Sequence, residues 1–155
     1  MCRKVQKYRY SVKKLVDHFA FSGYTVYTVR DKEQQMSQQI LSDATATAVM
    51  FAGEVAENSA KQAVQELYNQ YGTDQIGACG FGFVTIYGVR ANSKVGKALK
   101  AIGFRKQEWN RAFQLWNPGN YGGQNVDIKE AGARAYAAKF KEITGIEIYP
   151  GSRLD

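Results

Sequence analysis

The sequence predicts a mixed fold, α/β or α+β: a small mixed sheet of about four strands covered by helices and preceded by a long helical element. Three observations carry this. Residues 31–70 contain no proline and are rich in alanine, glutamine and glutamate, residues at home in a helix. From residue 76 onward, short β-forming runs alternate with helical patterns across glycine-bearing turns. The 155-residue chain is also 45% hydrophobic with only two prolines, enough apolar material for a core and not the composition of a disordered chain.

Taken in order, residues 1–30 interleave Arg3, Lys4, Lys7, Arg9, Lys13 and Lys14 with Tyr8, Tyr10 and Phe19. Cations alternating with aromatics suit a phosphate backbone with stacked bases, and an unpaired terminus is the competing reading. "SVKKLVDHF" predicts a short helix capped by Ser11, and "YTVYTVR" alternates β-formers as a strand over 24–30. In the long helix, Met36, Ile40, Ala44, Ala48, Phe51, Val55, Ala63, Leu67 and Tyr71 recur mostly four apart, forming one apolar stripe. Packing of that stripe on its own domain or on a second copy, a homo-oligomer through the helix, are both open. Gly53 marks a kink or a close contact within it.

"NQYGTDQIGA" reads as a linker, with Gly72 stopping the helix. Beyond it come a strand over 79–87 and a helix over 93–102, capped by Ser93 and closed by Gly103. A strand over 111–116, the loop "NPGNYGGQN", a helix over 127–143 and a last strand in "IEIYP" complete the chain. The chain thus reads as a single domain, 1–155. Within it, 1–75 holds the basic segment and long helix, and 76–155 a β-α-β-α-β module. Connections of helix length allow parallel pairing, and a mixed sheet is equally compatible.

The formal charge of +7 points to an anionic partner, either nucleic acid, a nucleotide or an acidic protein, with plain solubility as the alternative. Cys2 and Cys79 make no disulfide framework, and with His18 they fall one ligand short of a tetrahedral zinc set. No metal is expected, and the compartment is expected to be reducing. The basic start "MCRKVQKYRY" is followed by no continuous apolar segment, and nowhere do 18 apolar residues stand together, so neither secretion nor a membrane span is expected. Cys79 has only His18 available as a base, and Glu108, Asp127 and Glu130 lack the spacing of an acid–base pair or metal set. A non-catalytic protein without a cofactor is the expectation.

Besides the N-terminal arm, two stretches stand out as binding candidates. From Arg90 to Lys106 there are six positive charges and no negative one: Arg90, Lys94, Lys97, Lys100, Arg105 and Lys106. Such a face would neutralise phosphates and so bind nucleic acid or another anion. The alternative is an ordinary amphipathic helix that buries Val95, Ala98, Leu99 and Ile102 and leaves its lysines in water. "RANSKVGKAL" lacks P-loop spacing. It is loosely similar to the phosphate-holding turn of the N-acetyltransferase superfamily, which would imply an anchor for a nucleotide-containing cofactor. The second stretch, "QLWNPGNYGGQN", gathers Trp116, Asn117, Tyr121, Gln124 and Asn125 on a glycine-rich connection. It reads as a stacking or recognition loop, or as a structural turn around Pro118 and Gly119.

Four segments, "ACGFGFVTI", "FQLWNP", "QNVDIKEAGARAYA" and "YPGSRLD", together resemble a family of small, functionally unassigned proteins encoded by tailed bacteriophages. The resemblance covers about residues 77–155 and carries no catalytic residue with it. It implies a viral protein acting in the cytoplasm of an infected bacterial host, where accessory factors bind nucleic acid or a host protein. The leading expectation is accordingly a small basic accessory protein that binds nucleic acid through a Lys/Arg face. An inhibitor of a host defence protein or of its nucleotide signal is the second reading, and an enzyme using a nucleotide-containing cofactor the third. The tail "GSRLD" is expected to be ordered against the "NPGNYGGQN" loop rather than frayed.

Overall fold

The computed structural model of the protein describes residues 29–71 and 77–155. The expected helix at 11–19, strand positions 24–28, the basic–aromatic arm, His18 and the Gly72 stop lie outside the described residues. Three helices and four strands follow in the order α1 (Val29–Tyr71), β1 (Gly80–Ile86), α2 (Lys94–Ala101), β2 (Arg105–Lys106), β3 (Phe113–Trp116), α3 (Val126–Thr144) and β4 (Tyr149–Leu154). Val29 and Arg30, expected to close a strand, instead open α1, because the helix-forming run beginning at Asp31 extends back across them.

α1 is 43 residues long and buries Val49, Ala52, Gly53, Ala56, Ala60 and Val64, spaced for one helical face. This is not the stripe of four-residue spacings, whose members Met36, Ala44 and Phe51 are exposed. The buried face is made of small residues, which lets the α1 backbone come close to its neighbours. A Cβ on Gly53 would lie 2.8 Å from Cδ1 of Ile102. On Gly119 or Gly132 it would lie 2.6 or 2.9 Å from Cγ2 of Val64. Gly53 is thus a close contact, and bulky Phe51 is left outside it.

The strands form one sheet in the order β2-β3-β1-β4, with all three pairings antiparallel. β2 makes the second half β-α-β-β-α-β, where a β-α-β-α-β module was expected. At two residues it is too short to leave a sequence signal. Because β3 and β4 both run antiparallel to the intervening β1, they run parallel to each other with α3 crossing between them. This is the split β-α-β element of the ferredoxin-like arrangement.

Alternation along the strands assigns the two faces. Gly80, Gly82, Val84 and Ile86 of β1 point to the helices, where a Cβ on Gly82 would stand 2.5 Å from the Lys129 carbonyl oxygen of α3. Val84, Ile86 and Phe113 join Val49, Ala52 and Ala56 of α1, Leu99 of α2, and Tyr136 and Phe140 of α3 in one core. The long helix and the sheet therefore share a single hydrophobic interior. Among the described residues, no helix is long and apolar enough to cross a membrane.

The last strand begins later than "IEIYP" suggested: Ile148 is buried in the core, and β4 occupies Tyr149–Leu154. The tail is ordered, but on β1 rather than on the loop. Gly80 pairs with Leu154, Phe81 with Arg153, Gly82 with Ser152 and Phe83 with Gly151, and the Asp155 amide donates to the Cys79 carbonyl at 3.1 Å. β1 carries open ladder positions that an extended tail satisfies better than a turn would. Deleting residues 151–155 removes four of the six β1–β4 pairs. The melting temperature should then fall by roughly 5 °C or more, read by circular dichroism, and an unchanged melt would contradict this pairing.

Candidate functional site

The face of the sheet opposite the helices holds the odd-numbered positions of β1 and their partners. Phe83 sits across from Trp116, Thr85 from Gln114 and Tyr149, Phe81 from Arg153, and Gln114 from Arg105. "GFGF" in β1 is thus a strand with glycines turned to α3 and phenylalanines turned outward. Gly151 keeps the platform level, since a Cβ there would lie 2.7 Å from the Phe83 ring.

The aromatic groups on this face touch one another. The indole of Trp116 is 5.1 Å from the Phe83 ring and packs edge-on at 5.7 Å from Phe81. Toward the other end, Tyr87 and Tyr149 lie 5.8 Å apart. Such contacts are favourable between rings and hold them in place while solvent still reaches them. Trp116 is 40% exposed, and Tyr87 and Tyr149 are exposed as well.

Three cations flank the rings. The Arg153 guanidinium lies 5.4 Å from the centroid of Phe81 and 5.8 Å from that of Trp116, and Arg105 stands at the β2 edge. The Lys129 ammonium of α3 lies 5.3 Å from the Phe81 centroid while donating to the Gly80 carbonyl. Neither arginine is ion-paired to a carboxylate among the described residues. No aspartate or glutamate occupies any of the outward positions just named. These positions are therefore aromatic and cationic and carry no acid, with Asp155 following two residues beyond Arg153.

The six expected cations are dispersed. Arg105 belongs to the open face. Lys106 is structural: its Nζ donates to the carbonyls of Val89, at 3.0 Å, and Arg111, and lies 4.6 Å from the Phe113 ring centroid. Lys94 pairs with Asp43 of α1. Arg90, Lys97 and Lys100 are exposed, the two lysines on α2 in the helical layer. Ser93 caps α2 as expected, its hydroxyl accepting from the Gly96 amide at 3.0 Å. A Cβ on Gly96 would strike the Arg90 carbonyl. Where a phosphate loop leaves room for a ligand, this turn holds its own backbone.

The loop after β3 is likewise tied to itself, apart from Trp116 at its start. Asn117, at φ 48°, donates from Nδ2 to the Tyr121 carbonyl at 2.9 Å and accepts from the Tyr121 amide at 3.2 Å. Tyr121 packs 6.2 Å from Tyr68 of α1, with its hydroxyl buried and unpaired. Gln124 is exposed, and its carbonyl accepts from the Gly80 amide. Asn125 is buried and caps α3 by accepting from the Asp127 amide.

A separate cleft of about 530 Å³ lies between α1, α3 and this loop, lined in part by Glu54, Glu57, Met50, Asn120 and Tyr136. Burial first, and then the charge of Glu57, hold the Tyr136 phenol well above the usual tyrosine range. With two carboxylates in its wall, the cleft disfavours an anionic ligand. Among the described residues no group of three His, Cys, Asp or Glu side chains is placed to hold a metal ion. Cys79 is a free, exposed thiol whose backbone pairs with Asn125 and accepts from the Asp155 amide.

Reading the sequence missed Phe81, Phe83, Tyr87, Tyr149 and Arg153 on the open face, and Trp109, highly exposed on the β2–β3 hairpin. The available signal was the Gly/Phe alternation of "GFGF", which puts both rings on one side of a strand. Comparison with protein-family models, curated proteins and solved structures finds no match to this chain. The role assigned to Lys106 is testable. Lys106→Met should cost about 1.5–3 kcal/mol of stability in denaturant unfolding, whereas Lys97→Met should stay within about 0.5 kcal/mol. Equal, negligible effects would contradict it.

Proposed function

We propose that the protein binds single-stranded nucleic acid on the open face of its sheet. One observation carries the reading: Phe81, Phe83 and Trp116 lie in contact on the two central strands, flanked by Arg105 and Arg153, with no acid among them. Bases stack on aromatic rings whatever their sequence, while guanidinium groups neutralise phosphates and stack in turn. RNA-recognition modules use an open four-stranded sheet in this way for two or three bases. That parallel is one of architecture only. The formal charge of +7 adds long-range attraction for a polyanion. The resemblance of residues 77–155 to phage proteins supports a setting in the cytoplasm of an infected bacterium, as an accessory factor rather than an enzyme.

Fluorescence anisotropy with labelled single- and double-stranded oligonucleotides across a salt series tests this. Single strands should bind more tightly than duplex, with affinity falling steeply as salt rises. Trp116→Ala should weaken single-strand binding about tenfold or more, the loss of one stacked base. Lys97→Glu with Lys100→Glu should weaken it less. The reverse ranking would move the site to α2, and no binding at low salt would remove nucleic acid from the account.

A second reading, a protein partner or a second copy docked along α1, is favoured by Met50 and by Phe51, which is 61% exposed. If so, light scattering should find a dimer, or nuclease-treated host lysate should yield a partner, that Phe51→Glu abolishes. A monomer with no captured partner would count against it.

A further inference from the structure

β2 is only two residues long, and its register with β3 covers Gln114 and Phe113 alone. β3 runs on through Leu115 and Trp116 with no described strand beside them on that edge. The shortfall opens a pocket of about 300 Å³ lined by Gly103, Arg105, Gln114, Leu115 and Trp116. Gly103, at φ 94°, turns the chain from α2 into β2 and forms the pocket's far wall with Leu115, toward which its own missing Cβ would stand at 3.5 Å. The volume is at the lower end for a small-molecule site, suited to one planar base rather than a whole cofactor.

The chemistry in the pocket is specific. The Trp116 indole offers a stacking surface, anchored by its contacts to Phe81 and Phe83. The half-buried Gln114 carboxamide has two donors and an acceptor, and no hydrogen bond occupies them among the described residues. Arg105 adds a fork of donors with no carboxylate partner among those residues. Adenine presents N7 as an acceptor beside the N6 amino group, and guanine presents N7 beside O6. A carboxamide matches the first pair and a guanidinium the second, and both donate to N7. Pyrimidines have no such atom, and their single ring stacks over less of an indole.

We propose that this pocket is a base-selective subsite that prefers purines in a single strand lying across the sheet. The inference rests on the platform reading given above, and it assigns to Gln114 and Arg105 the selection that the rings alone cannot make. A base seated here stacks on Trp116 and turns its N7 edge toward β2, while its phosphates run toward Arg153 and the outer strand β4.

The test is fluorescence anisotropy with labelled dA8, dC8, dT8 and dA8 built from 7-deazaadenine, against the native protein, Gln114→Leu and Trp116→Ala. The native protein should bind dA8 about tenfold more tightly than dC8 or dT8, the size of one good bidentate base contact. Replacing N7 by carbon should remove most of that preference. Gln114→Leu, with its melting temperature retained, should bring dA8 toward dT8 and leave dT8 unchanged, whereas Trp116→Ala should weaken all four. Equal binding of dA8, dC8 and dT8, or a dA8 preference that survives both 7-deaza substitution and Gln114→Leu, overturns the subsite and leaves the platform standing. Failure of every oligonucleotide to bind at low salt overturns both.

Discussion

Everything on the open face depends on how closely α3 lies against β1. Gly80 and Gly82 have no side chains, so the helix backbone comes down onto the strand: a Cβ on Gly82 would meet the Lys129 carbonyl at 2.5 Å. Glycine within a strand ordinarily costs stability, and its use here is the room it leaves for another backbone. α1 repeats the device at its own contacts with Ala52, Gly53, Ala56 and Ala60. At these contacts the helices approach through small residues and backbone, while Leu99, Tyr136 and Phe140 fill the rest of the core. The large rings of β1 are turned to the far side, where the Lys129 ammonium of α3 reaches the Phe81 ring, 5.3 Å from its centroid.

That arrangement separates two kinds of basic surface which look alike in the sequence. Lysines on α2 are spread along a solvent-facing helix, and one of them is already engaged by Asp43. Exposed pairs of that kind contribute little to stability, and isolated surface lysines attract any polyanion without orienting it. The open sheet face has fewer cations, but Arg153 is held over two rings, so charge and stacking surface are presented together. A single strand of nucleic acid offers the complementary combination. The acidic cleft beside Tyr136, with Glu54 and Glu57 in its wall, offers the opposite field.

Much of the fold was legible in the residues. Alanine- and glutamate-rich sequence without proline specified α1, Ser93 capped α2, and both later helices ended within two residues of their expected limits. What escaped has physical reasons. β2 is two residues held by hydrogen bonds to β3, and no periodicity is detectable at that length. In α1 the four-residue stripe favoured bulky residues, whereas close packing selected the adjacent face of alanines. Lys106 carried the charge expected of a binding residue, but its reach to two backbone carbonyls is a property of the folded turn. Among the candidate site residues only Trp116 and Arg105 lie on the open face. Phe81 and Phe83 read as ordinary strand hydrophobics until the glycines alternating with them, Gly80 and Gly82, are seen to face a helix.

The most direct test of this account is to map amide chemical-shift changes in the isotopically labelled protein as a short purine-rich single strand is added. The account predicts that the largest changes fall on residues 81–85, 114–116 and 149–153, with α2 moving little. Changes concentrated on residues 94–101 and sparing the sheet would contradict it.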